Sequence, residues 1–275
     1  MAFPPRRVRH WPAVWLPIAL IAACRSPVRE LADTTVSEQW TRSYPLSENG
    51  NVIVFTRDGS VKVEGVEGVS TVEVAATKVA RAKSEKTASG LLPSIPITES
   101  VTPDRVEVRT GRIEGILVGA SYEVSYRVRV PSTAKVRAEA VNGAVDVSSL
   151  NGSVVALSNN GNVTGTALAG AVEARVRNGA LHVSMRRVAD GPISLRSMNG
   201  AITLSLPQTT RASVNAQARN GSISTGELPF EPTSDAERGR SPRVRGSLNG
   251  GNAPLIDLQS TNGNITLVGN DSPTP

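Results

Sequence analysis

Few residues of this chain have types that can do chemistry, and their spacing keeps them apart. The only histidines are His10 and His182, and the only cysteine is Cys24. A thiol nucleophile needs a base beside it, and a zinc centre needs three or four ligands; if His10 leaves with an N-terminal signal and Cys24 is spent on lipid, His182 is left alone and Cys/His dyads and multi-histidine sites are excluded. His182 lies between Leu181 and Val183 at the outward position of an alternating run and reads as a solvent-facing strand residue. The acids Asp146, Glu173, Asp190 and Asp257 stand singly and make no pair of the kind that cleaves a glycosidic bond. Acids are also missing from the nonapeptide slots that hold calcium in other β-rolls, and the chain calls for no metal and no cofactor. Arginine alone is concentrated. Arg238, Arg240, Arg243 and Arg245 lie amid Pro, Ser and Gly between Leu228 and Asn252, where two readings stand: a solvated flexible loop, or a loop that recognises a partner.

The elements that must position these residues are set by a repeat. Asn-Gly pairs recur at Asn142, Asn160, Asn178, Asn199, Asn220 and Asn262, spaced 18, 18, 21, 21 and 42 residues apart. A small residue stands two positions before most of these Asn residues, and an aliphatic one three positions after, as in Ser158-Asn159-Asn160-Gly161 leading to Val163. Only Asn178, preceded by Val176, breaks the small-residue rule. Nine residues before most of them lies a degenerate copy, as at Asn151-Gly152 and Ala169-Gly170. Two nine-residue modules therefore make one coil, the mark of a repetitive, coiled architecture. Between corners the residues alternate, as in Val172, Ala174, Val176, which is the period of a half-buried strand. Continuing that parity puts the corner Asn on the inner side, in a left-handed conformation that its Gly neighbour eases, with amides bonded from rung to rung as a ladder. In isolation each Asn-Gly would equally suit a hairpin, which is the structural alternative. All extra length falls on one half-coil, and in repeat folds insertions map to one face, often the binding face.

The N-terminus bears on location. Arg6, Arg7 and Arg9 precede an apolar stretch from Ala13 to Ala23 that is short for a bilayer span and shaped like a secretory signal. It ends in Ile21-Ala22-Ala23-Cys24, which resembles the bacterial lipoprotein signal box, in which the cysteine is acylated; the alternative is ordinary cleavage beside an incidental cysteine. The resemblance implies a palmitate-type anchor at Cys24, residues 1–23 removed, and a place in the cell envelope. Arg25 in the following position leans to the outer membrane. Loss of Arg6, Arg7 and Arg9 lowers the formal charge from +6 to +3, and the remaining charges of both signs are interspersed along strands. Nucleic-acid binding, which needs a clustered basic patch with stacking aromatics, is not indicated.

The expected organisation is a tether at 24–44, an irregular N-terminal β region at 45–131 that caps the repeat, with a mobile loop at 80–104, a regular solenoid at 132–268 carrying the insertion at 228–252, and a disordered tail at 269–275. The fold class is all-β, a β-solenoid of 18–21-residue coils with Asn-Gly corners. The strand ending in Val128-Arg129-Val130-Pro131, followed by Lys135 to Gly143 and the successive Asn-Gly rungs, resembles the putative-adhesin β-solenoid family of unknown function over about residues 45–268. That resemblance implies a binding or structural role with no catalytic residues to carry over. The resulting expectation is a non-catalytic, lipid-anchored envelope protein that presents a surface for adhesion or protein interaction. Its partners would be the membrane through the lipid, and an envelope protein or glycan. A polysaccharide-modifying β-helix enzyme and an envelope sensor that binds a protein partner are the competing readings. The sequence sets no oligomeric state.

Overall fold

The computed structural model describes residues 34–114, 118–188, 191–233 and 242–270. The signal segment, Cys24, Asp190, Arg238 and Arg240 lie outside the described residues. The strands in the first part are β1 (Thr34–Pro45), β2 (Asn51–Asp58), β3 (Val61–Val66), β4 (Thr71–Ala82), β5 (Ile97–Thr102), β6 (Arg105–Thr110) and β7 (Ala120–Pro131), with one helix, α1 (Glu85–Leu91), after β4. The repeat then supplies β8 (Lys135–Asn142), β9 (Val145–Ser148), β10 (Val154–Asn160), β11 (Val163–Leu168), β12 (Val172–Asn178), β13 (Leu181–Met185), β14 (Ile193–Asn199), β15 (Ile202–Pro207), β16 (Ala212–Asn220) and β17 (Ile223–Ser224). The final elements are β18 (Phe230–Pro232), β19 (Arg243–Leu248), β20 (Leu255–Asn262) and β21 (Ile265–Asn270).

Each coil gives one strand to each of two sheets. The first sheet runs β1-β4-β7-β3-β9-β11-β13-β15-β21-β17, and the second β18-β19-β16-β20-β14-β12-β10-β8-β2-β6-β5. Equivalent residues stack in register: Val136, Val154, Val172, Ile193, Ile256 and Val214 form one buried row of the second sheet, and Val145, Val163, Leu181, Ile202 and Ile265 one of the first. In the strands of the coils, as in β12 and β15, every second residue faces the space between the sheets, and each buried aliphatic there contributes about 1.5 to 3 kcal/mol. Parallel neighbours are reached because the chain passes through the opposite sheet before returning, which no tight hairpin allows.

Spatial order departs from sequence order at both ends. The coil β20/β21 sits between β14/β15 and β16/β17, and the coil β2/β3 sits between β6/β7 and β8/β9. Antiparallel additions cover three of the four edges this leaves, β17 remaining the last strand of the first sheet. β19 lies on β16 and β18 on β19, β5 lies on β6, and β4 and then β1 extend the first sheet beyond β7. Such covering removes the unpaired backbone that makes a sheet edge sticky.

Several expected boundaries change accordingly. Residues 34–44 are not a tether but belong to β1, which pairs with β4 along its whole length. The stretch 80–104 is not a loop. β4 continues to Ala82, Ser84 caps α1 by accepting the Thr87 N–H at 3.2 Å, and β5 follows. Ala80, Ala82 and Ala88 pack together there, a cluster of small residues whose lysine- and serine-rich surroundings hid it from a hydropathy reading. The described parts of the 228–252 insertion form β18 and β19, with Leu228 and Leu248 buried. The last strand runs through Asn270, past the expected start of the tail.

Candidate functional site

The corner residues define one edge of the stack. Asn142, Asn160, Asn178, Asn199, Asn262 and Asn220 stand in that spatial order, and each side-chain amide donates to the next towards the N-terminal end: Asn160 to Asn142, Asn178 to Asn160 and Asn199 to Asn178 at 2.8 Å, Asn262 to Asn199 at 2.7 Å, and Asn220 to Asn262 at 2.8 Å. The line ends on a carboxylate, Asp58 Oδ1, which accepts from Asn142 Nδ2 at 2.6 Å. Asp58-Gly59, with Thr56 two before and Val61 three after, fits the corner template with Asp in place of Asn. A search for Asn-Gly alone passes over it.

Two expectations about these corners fail. The amides are exposed rather than inward: the register is unchanged through the corner, Ser158 pairing with Val176 and Asn160 with Asn178, but burial stops alternating there, with Asn159 and Asn160 both exposed. The unusual backbone belongs to the glycine rather than to the asparagine, with φ +157, +151, +146, +149 and +157 at Gly143, Gly161, Gly179, Gly200 and Gly263. A Cβ on Gly161 would fall 2.2 Å from the Gly143 carbonyl oxygen, so the glycines are required by stacking as well as by φ. The small residue two before most of these Asn residues is explained as well, since Ser158 is buried beneath the corner and donates to the Gly143 carbonyl at 2.9 Å.

The outer face of the second sheet gathers the arginines. In one row, Glu139, Leu157, Arg175, Arg196, Gln259, Gln217 and Arg243 are successive register partners from β8 to β19. Neighbouring strands are about 4.8 Å apart, so guanidinium and amide planes line up across the sheet. A shallow groove of about 400 Å³ runs here, bordered by Arg175, Arg196, Met198, Gln217, Arg219 and Gln259. Glu173 pairs with Arg175 at 2.8 Å, and Asp257 lies 3.4 Å from Arg196 and accepts from Asn215 Nδ2 at 2.7 Å. Arg243 and Arg245 of the insertion join this face: Arg243 Nη2 donates to Gln217 Oε1 at 3.1 Å and Arg245 Nε to Asn215 Oδ1 at 3.4 Å. Arg177 and Arg219 have no ion-pair partner among the described residues, so the face from β12 to β19 is positive. Arginine forks there are free to accept a planar anionic group.

Elsewhere the charges are balanced. Glu107 lies between Arg109 and Arg105, whose hydrogen bonds hold its carboxyl below the usual range. Tyr126 is buried against Thr110, at 2.7 Å between hydroxyls, and desolvation pushes it up to about 12. Tyr44 is raised too, first by burial and then by its hydrogen bond to Glu99. His182 is exposed on the first sheet between Thr164 and Thr203, on a different face from the arginine row. Glu173 and Asp257 stand on strands separated by β14, each beside an arginine. No group of three or more potential metal ligands, and no helix long and apolar enough to cross a membrane, occurs among the described residues.

Two sheets of mainly parallel strands built coil by coil place the chain in a class of all-β repeat folds. Residues 47–268 match the Toastrack DUF4097 family, and the chain belongs to that family. A putative cell adhesion protein from Clostridium sporogenes shares 10% identity, with a TM-score of 0.41 and coverage of 85% of this chain and 100% of that one. A putative adhesin from Bacteroides fragilis shares 13% identity with a TM-score of 0.28, covering 85% and 97% respectively. No curated protein matches the chain.

Proposed function

We propose that this chain is a non-catalytic, lipid-anchored protein of the bacterial envelope that holds an anionic glycan on the outer face of its second sheet. The observation that carries the reading is the in-register row Arg175, Arg196, Gln259, Gln217, Arg243, with Arg219 beside it along an open groove. A row of planar donors repeating once per strand suits a polymer that repeats one acidic group per unit; Arg219 can grip a carboxylate or sulfate through two bonds, and Arg175 and Arg196 can add the donors that Glu173 and Asp257 leave unused. The groove is shallow and its carboxylates are engaged with arginines, which favours holding over cleavage. Acylation at Cys24 would fix the surface to a membrane, since two or more acyl chains give stable anchoring. The family membership and the adhesin descriptions of structural neighbours agree with a surface or interaction role.

The test is retention on an immobilised polyuronate compared with a neutral glucan. Wild-type protein is expected to be retained on the acidic polymer alone, with binding that weakens as salt rises. The triple variant Arg175→Gln, Arg196→Gln, Arg219→Gln is expected to lose at least about tenfold in affinity, while Arg129→Gln on the other sheet changes little. Equal retention of wild type and triple variant refutes the groove. Incorporation of labelled palmitate, lost in Cys24→Ser, tests the anchor separately.

A further inference from the structure

We propose that Asn220-Gly221 is a site of spontaneous covalent modification, the one rung of the asparagine ladder at which the amide converts to a carboxylate in the folded protein. In this reaction the Gly221 nitrogen attacks Asn220 Cγ. The Cγ–Nδ2 bond breaks and ammonia leaves, taking up the Gly221 amide proton. Water then opens the five-membered imide at either carbonyl, leaving aspartate or isoaspartate. Nothing is oxidised or reduced, and water is the sole co-reactant.

The reaction needs two freedoms: a glycine N–H that is not engaged and an asparagine side chain that can swing back onto it. The ladder removes both from its inner rungs. Gly143, Gly161, Gly179, Gly200 and Gly263 donate their N–H to the carbonyls of Asn160, Asn178, Asn199, Asn262 and Asn220 at 2.8 to 3.0 Å. The amides of Asn142, Asn160, Asn178, Asn199 and Asn262 each donate through Nδ2 and accept through Oδ1. Three hydrogen bonds therefore restrain each of these pairs. Outside the ladder, Gly50 donates to Ser47 and Gly152 to Ser132.

Asn220 differs because of where its coil sits. With β20/β21 inserted ahead of it, Asn220 rather than Asn262 is the outer end of the line, and among the described residues no further coil lies beyond to bond it. Its Oδ1 receives no donor and the Gly221 N–H finds no acceptor among the described residues, which leaves the single bond from Nδ2 to Asn262. Among the described residues the Gly250 N–H also finds no acceptor, but the Asn249 amide is clamped by two carbonyls, Gln208 at 3.0 Å and Thr210 at 2.8 Å.

The product matters because the ladder has a direction. Every amide donates towards Asp58, where a carboxylate is the natural terminus. At the opposite end the side chain must donate, and a carboxylate there would set one acceptor against Asn262 Oδ1. Conversion therefore unfastens the last rung, whereas Asp58 completes the first.

The experiment holds the folded, full-length protein at mildly alkaline pH and follows all nine Asn-Gly pairs by peptide mapping and mass spectrometry, with the same protein in concentrated urea alongside. Expected is conversion at Asn220 at least about tenfold faster than at any of the five inner rungs, as two missing hydrogen bonds worth several-fold each require. In urea the six ladder positions should convert at similar rates. An inner rung or Asn249 converting as fast as Asn220 in the folded protein overturns the proposal. So does an Asn220 as inert as its neighbours, or a preference that persists in urea.

Discussion

Replacing Gly161 by alanine separates the two halves of each corner, since it leaves the amide ladder untouched and challenges only the backbone stack. A Cβ built at Gly161 lies 2.2 Å from the Gly143 carbonyl oxygen and 2.5 Å from its carbon. Carbon and oxygen do not approach within about 3 Å, so the two coils must part locally by roughly 0.8 Å. That movement lengthens the bond from the Gly143 N–H to the Asn160 carbonyl at 2.8 Å and presses the Gly161 corner against the next coil, distorting the bond from the Gly161 N–H to the Asn178 carbonyl at 3.0 Å. Two weakened backbone bonds amount to about 1 to 3 kcal/mol. Holding alanine at a φ of +151 adds roughly 1 to 2 kcal/mol. The sum is about 2 to 5 kcal/mol. Asn160→Ala instead removes two exposed amide bonds whose partners return to water, which is worth about 1 kcal/mol. Urea unfolding followed by circular dichroism at the β-sheet band reads both variants against wild type. A Gly161→Ala protein within about 1 kcal/mol of wild type, or an Asn160→Ala protein that is the less stable of the two, would falsify the argument that glycine stacking dictates the corners.

Two further outcomes follow from burial. Tyr126 has a folded pKa near 12 against an ordinary value of 10.0, so the folded state keeps its proton longer than the unfolded chain. Stability is then complete below pH 10 and falls as pH rises towards 12, by an amount on the order of 2 to 3 kcal/mol; in Tyr126→Phe part of that alkaline decline should vanish, and an unchanged pH profile would contradict the assignment. Truncation after Asn252 removes the coil β20/β21, which pairs with β14 and β16 in one sheet and with β15 and β17 in the other. Because Ile256, Leu258, Ile265 and Leu267 are fully buried, the loss of about 6 to 12 kcal/mol of burial rivals the stability of a whole domain. A truncated chain with native circular dichroism and an unchanged melting point would show that the coil is peripheral.

What the sequence disclosed was governed by the range of the interaction responsible. Strand parity and corner phase are local and repeated, so Val172, Ala174 and Val176 announce their burial and Asn142 to Asn262 their alignment without further help. The facing of the asparagine depends on a break in alternation at the corner, where Asn159 and Asn160 are both exposed, which a strict period of two cannot express. Asp58 eluded a search for Asn-Gly because the ladder asks that position only to accept, and a carboxylate does so as well as an amide. The arginine row lay beyond reach for another reason. Arg175 and Arg196 are partners on consecutive coils, but Gln259 enters their row only because β20 intervenes between β14 and β16, and Arg243 only because the insertion folds back as a strand.

That fold-back also accounts for the order of the last coils. The chain leaving β17 returns at once as β18 and β19, and β19 pairs antiparallel with β16 from Ala212 to Gln217. One edge of β16 is thereby taken by the nearest available segment, whose closure entropy is lower than that of a more distant one. When β20 follows, the place a regular solenoid would give it is occupied, and the remaining edge of β16 is the one facing β14. There β20 gains two parallel neighbours instead of one, with Ile256 between Ile193 and Val214 and Asn262 between Asn199 and Asn220. The arginine-bearing insertion is thus part of the architecture before it is anything else. It closes the stack, seats the last coil inside it, and leaves Asn220 as the ladder's open end.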